Sequence, residues 1–255
     1  MPTSGSRRQG DYERRNRDVT EPIYKLALGD DFVRLQPELQ EYFSLSPGSG
    51  SYGVGEGVFD VVGCRQRWLR PLLALTAREQ ALFPEYGESI RFRIENHAHF
   101  DPFGRNSLTA RREIYFPGSH RLFQDTTSAM EGEDGGIRLV DYLGRYRRLS
   151  TDLNLSVTSE GRLRGISDAS RLFLGPLRLA LPAILDAKAY AEQWWDAQER
   201  KHRIQVKVIQ PQVGLVLVYA GRFDYELVPY PSKGTSGPWA TLPRYAMPDR
   251  WERRL

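Results

Sequence analysis

Residues 89–101, SIRFRIENHAHFD, alternate with a period of two along their whole length. Ile90, Phe92, Ile94, Asn96, Ala98 and Phe100 fall on one side, and Arg91, Arg93, Glu95, His97, His99 and Asp101 on the other. Successive side chains of a strand point to opposite faces, so the pattern specifies a strand with one dry and one wet face. The rest of the chain has to supply this strand with neighbours.

It does so repeatedly. LTARREIYF (108–116), HRLFQDTTSAM (120–130), IRLVDYLGRY (137–146) and LSTDLNLSVT (149–158) read as further strands, joined by the short turns DPFGRN, PGS and GEDGG. A Ser159–Glu160–Gly161 turn leads into RLRGISDASRLFLGPLRLALP. HRIQVKVIQPQVGLVLVYAGRFDYEL (202–227) reads as two strands hinged near Pro211. Strands joined by short turns pair antiparallel.

Helical spacing is confined to three places. In residues 21–45, Ile23, Leu26 and Ala27, then Phe32, Leu35, Leu39, Tyr42 and Phe43, form apolar stripes broken at Gly29–Asp30. Thr20 and Pro22 suit the start of the first helix. In residues 65–83, Trp68, Leu69, Leu72, Leu73 and Leu75 suggest a helix, with Pro71 marking its start or a kink. Residues 184–201, ILDAKAYAEQWWDAQERK, read as a helix with Lys201 at its C-terminal end. The sum is an α+β fold: a large curved, mostly antiparallel sheet of about eight strands, with a half-barrel as one form of it. N-terminal helices precede the sheet and one helix precedes its last strands. Such a sheet commonly encloses a cavity for one small ligand.

Composition bounds the functional classes. The chain has 255 residues, enough for one large domain or two small ones. Lysine and arginine number 36 against 32 acidic residues, a net charge of +4, too balanced for a nucleic-acid footprint without clustering on one face. The single cysteine, Cys64, excludes an intrachain disulfide and a cysteine-based zinc site. No secretory leader and no run of about 18 apolar residues is present, so a cytoplasmic protein without a transmembrane segment is expected. RLFLGPLRLALPAIL reads as a core strand and turn, with peripheral lipid contact as the second reading. Residues 1–19 read as a disordered basic arm, 20–228 as one domain, and 229–255 as a proline-rich tail that packs through Trp239, Tyr245 or Trp251.

The candidate chemistry is sparse. His97 and His99 share a strand face and could form part of a metal site with His120, or a base supported by Asp101 or Glu95. The glutamate expected shortly after a His-x-His metal motif is missing, and a polar sheet face is the plainer account. Asn96 interrupts a dry face, so it needs a backbone partner or a ligand. Asp125 and Asp141 lie within strands, where carboxylates either pair with arginine or do acid–base work. Gly48, Gly50 and Gly53 match G-x-G-x-x-G but follow a helix and precede a strand, the wrong context for a dinucleotide loop. That stretch reads as a flexible connection. Cys64 lacks a visible histidine partner. Neither a nucleophile elbow nor a P-loop occurs, and no cofactor is expected.

Five blocks carry a resemblance: YKLALGDDFVRLQPELQEYF, GEGVFDV, RWLRPLLAL, GPLRLALP and IQPQVGLVLVYAGRFDYE. They resemble the bacterial family called domain of unknown function 4166, over about residues 21–228. That resemblance implies a domain found alone or fused to NAD-binding, dehydrogenase-like domains, with no catalytic residue to carry over. The expectation is a non-enzymatic domain that binds a hydrophobic or amphipathic small molecule, with Asn96, Tyr142, Tyr219, His97 and His99 as ligand contacts. An enzyme centred on His97 and His99, and an accessory module of a separate oxidoreductase, are the alternatives.

Overall fold

The computed structural model describes residues 20–132, 135–174, 177–180, 186–231 and 242–246. Eleven strands form one antiparallel sheet: β1 (Ser51–Gly63), β2 (Tyr86–Phe100), β3 (Asn106–Phe116), β4 (Ser119–Glu131), β5 (Ile137–Leu143), β6 (Leu149–Val157), β7 (Leu163–Leu174), β8 (Leu177–Ala180), β9 (Lys188–Asp196), β10 (Lys201–Gln210) and β11 (Gly214–Pro229). The order is β6-β5-β4-β3-β2-β1-β11-β10-β9-β7-β8, and β6 also pairs with β7. That last pairing closes ten strands into a ring and leaves β8 as a short flap on β7.

The α+β, half-barrel expectation is therefore corrected: the fold is a closed, mostly β barrel. Two misread segments account for the difference. Residues 184–201 were expected to be a helix, but Lys188–Asp196 is strand β9, paired with β10 along nine positions and with β7 along four. Its alanine, glutamate and glutamine residues favour helices in isolation, yet pairing on both edges overrides that propensity. The glycine-rich stretch expected as a loop is largely β1, paired with β2 and β11. Its glycines are needed there. A Cβ on Gly53 would lie 1.6 Å from the Tyr225 hydroxyl, so the missing side chain lets that ring lie across the strand.

Three short helices close the barrel's ends. α1 (Ile23–Leu28), a 3-10 turn (Gly29–Arg34) and α2 (Pro37–Tyr42) cover one end. Pro22 sits at the N-cap of α1, and no side chain caps it. Gln36 clamps this lid to the rim: its Oε1 accepts from the Trp195 N–H at 2.8 Å, and its own N–H donates to the Gly161 carbonyl at 2.9 Å. At the other end, α3 (Arg70–Ala77) carries Pro71 in its first turn, which makes the proline a start and not a kink. Phe83 then packs against Phe116 and Phe123. The main core runs through the barrel, from Phe32, Leu39 and Phe43 of the lid to Phe59, Phe92 and Phe223 of the wall. No helix among the described residues is long and apolar enough to cross a membrane.

Candidate functional site

The dry face of β2 looks inward. Register then determines which residues of the neighbouring strands share the lumen. Asn96 stands beside Ala110, and Ile94 beside Arg112. Arg112 pairs with Phe123, Ala110 with Asp125, and Thr127 with Asp141. Asp141 in turn stands beside Thr151. A polar stripe thus crosses four strands, β3 to β6, inside an otherwise apolar barrel. The far wall is small and mostly apolar. Ala189 and Ala191 of β9 turn inward beside Ala187, which precedes the strand, and a cavity of about 310 Å³ remains between them and the polar stripe.

The stripe is internally paired. Arg112 Nη1 donates to Asp125 Oδ2 at 2.5 Å, and the guanidinium lies 5.0 Å from the Phe123 ring centroid. Burial would lower the Arg112 pKa, but Asp125 more than offsets it, so the guanidinium stays charged. Thr127 Oγ1 donates to Asp141 Oδ1 at 3.2 Å. Burial, reinforced by the Asp125 charge, pushes the Asp141 carboxyl up to about 8. Both effects favour the protonated carboxyl, which can donate a hydrogen bond into the lumen. Tyr219 and Tyr24 border the same space. Burial pushes the Tyr219 phenol up to about 12 and raises Tyr24 as well.

Two further polar atoms face this region without a partner among the described residues. Asn96 is 3% exposed; its Nδ2 donates to the Tyr42 and Tyr225 hydroxyls at 3.3 and 3.2 Å, but its Oδ1 is unpaired. Gln193, on the alanine-lined strand, has an unpaired Nε2. Each such group costs on the order of 1–3 kcal/mol unless something in the lumen pairs with it.

The other sequence candidates lie elsewhere. His97 and His99 are on the outer face of β2, yet both are only 2% exposed, because the segment around Tyr245 covers them. His97 Nδ1 lies 2.8 Å from the Tyr230 hydroxyl and Nε2 3.0 Å from that of Tyr245, each within hydrogen-bond reach. Tyr245 donates onward to Glu95. His97, 3.7 Å away, chiefly, and then hydrogen bonds from Tyr245 and Arg93, hold Glu95 down at about 2. His99 bonds Thr109 Oγ1 at 2.9 Å, and burial pushes it down to about 4. Tyr142 packs outside the barrel with Val140 and Phe173 and accepts from Arg105 at 3.0 Å. His120 is at the opposite end of the barrel, stacked on Tyr115. Asp101 is paired with Arg105, and Cys64 is buried with its thiol toward the Gln66 carbonyl. No three metal-ligating side chains come together among the described residues. Trp239, Trp251 and the basic arm lie outside the described residues.

Sequence reading therefore placed Asn96 and Tyr219 beside the cavity and noted Asp125 and Asp141, but missed Arg112 and Gln193. The missed signal was an arginine at an inward position: alternation through LTARREIYF puts Arg112 on the side of Ala110 and Ile114.

Fold and site together define a closed antiparallel barrel with a lidded, part-polar lumen. The chain belongs to the family described as "Domain of unknown function (DUF4166)", which matches residues 35–223. No curated protein matches it. Among solved structures, a variant of the PpsC dehydratase domain from Mycobacterium tuberculosis is similar at 7% identity. The match covers 71% of this chain and 78% of that one, with a TM-score of 0.20.

Proposed function

We propose that the barrel binds an amphipathic small molecule in its lumen. The observation that carries this is the two-sided cavity, with Arg112, Asp125 and Asp141 on one wall and Ala187, Ala189 and Ala191 on the other. Its volume of about 310 Å³ is at the small end of ligand pockets. The apolar part of the ligand lies against the alanine strand. Its polar group meets the protonated Asp141 and the unpaired Asn96 Oδ1 and Gln193 Nε2. The head is neutral and hydrogen-bonding, because the charge of Arg112 is already matched by Asp125.

Native mass spectrometry of gently purified protein tests this. Wild-type protein is expected to carry a co-purifying molecule or to take one up from a lipid and metabolite library. Ala189→Leu/Ala191→Leu, which fills the lumen from the apolar wall, should lose it while remaining folded. A clean apo mass with no uptake, or equal uptake by the filled variant, would sink the proposal.

A further inference from the structure

The outer wall of the barrel carries a second concavity, a groove of about 840 Å³. It is separate from the lumen. Gln124 lines the groove, while its neighbours Phe123 and Asp125 line the cavity inside, and Arg111 stands outward between the inward Ala110 and Arg112. Four guanidiniums converge here: Arg111 from β3, Arg145 and Arg148 from the loop after β5, and Arg244 from the C-terminal segment.

Like charges do not gather without cause. Two tyrosines hold them in place. Arg145 and Arg148 both sit over the Tyr146 ring, at 5.4 and 5.0 Å from its centroid, and Arg111 sits 4.7 Å from that of Tyr245. Carboxylates answer only part of this charge. Glu79 meets Arg148 at 3.4 Å and Glu113 meets Arg111 at 2.7 Å. Arg145 and Arg244 have no ion-pair partner among the described residues. The groove wall also holds a buried neutral group: Gln124 is 3% exposed and its Oε1 has no hydrogen-bond partner.

We propose that this groove binds a phosphate-bearing small molecule. Guanidinium forks match phosphate oxygens two at a time, and the amide of Gln124 takes a polar group of the same ligand. Arg145 and Arg244 hold the phosphate, while the Glu79 carboxylate, which lines the same groove, stays paired with Arg148. The groove is concave and larger than a bare phosphate needs, which favours a small organic phosphate over a flat anionic surface.

Isothermal titration with inorganic pyrophosphate at physiological ionic strength is the test. Saturable binding to one site is expected, weakened at least tenfold in Arg145→Gln/Arg244→Gln. Arg65→Gln/Arg67→Gln removes the same charge from exposed arginines outside the groove and should leave the affinity unchanged. Gln124→Leu keeps the charge; it should raise the melting temperature, since it removes an unpaired buried carbonyl, and leave pyrophosphate affinity unchanged, because that acceptor needs a hydroxyl donor that only an organic phosphate supplies. Absence of saturable binding, or an equal loss in both double-arginine variants, overturns the proposal. So does adsorption to anionic phospholipid vesicles without any binding of pyrophosphate.

Discussion

Arg112 is a cation inside a β-barrel, and its partner Asp125 is the reason it can be there. Removing one member of a buried pair leaves the other uncompensated, which typically costs about 3–5 kcal/mol. Arg112→Met is therefore expected to destabilise the fold by that order in chemical denaturation. Arg112→Met/Asp125→Leu should recover much of the loss, because no charge is then left in the lumen. If the double variant is no more stable than the single one, the pair is not what supports this wall. Asp141 makes a different prediction. Its folded pKa of about 8 lies above the ordinary carboxylate value. Between about pH 4 and 8 the folded protein holds a proton that the unfolded chain has lost, so stability falls as pH rises through that window. Asp141→Asn should flatten this dependence. An unchanged slope in the variant would assign the proton to another group.

At the level of elements, the outer face of β2 shows how a terminal segment is held. Glu95, His97 and Tyr245 form one chain of hydrogen bonds between the barrel wall and residues 242–246. Glu95 is held low, at about 2, so its contribution is complete above the unfolded value near 4.5 and is lost as pH falls toward 2. Limited proteolysis across that range should show the C-terminal segment released before the barrel opens. Glu95→Gln should release it already at neutral pH. Simultaneous loss of segment and barrel would contradict the separation. The same strand explains how much was legible beforehand. Its inward and outward faces follow directly from alternation, and so do Asn96 and Tyr219 at the cavity. That the outward histidines are buried does not follow, because their cover comes from residues more than a hundred positions away. Strand β9 was read as a helix for a related reason: Ala189, Ala191 and Gln193 suit either state, and only pairing to β7 and β10 decides between them. The β6–β7 hairpin is legible at its Ser159–Glu160–Gly161 turn, but closure also depends on β1 pairing with β11, the first strand with the last, which no local pattern encodes.

Across the whole molecule, the account rests on the lumen being a binding space and not merely a packing defect. An unfilled cavity beside unpaired polar groups lowers stability, and a ligand that binds only the folded state recovers it by mass action. Under the proposed function, the barrel, its lid and the polar stripe would present a dry wall and a hydrogen-bonding wall to the same small molecule. Titration with 1-aminoanthracene, a small neutral amine whose fluorescence rises in apolar surroundings, tests this most directly when wild type and Ala189→Leu/Ala191→Leu are compared at equal concentration. The account predicts saturable, one-to-one enhancement in the wild type, with a matching rise in melting temperature, and little of either in the filled variant. Equal enhancement in both proteins, or none in the wild type, would contradict it.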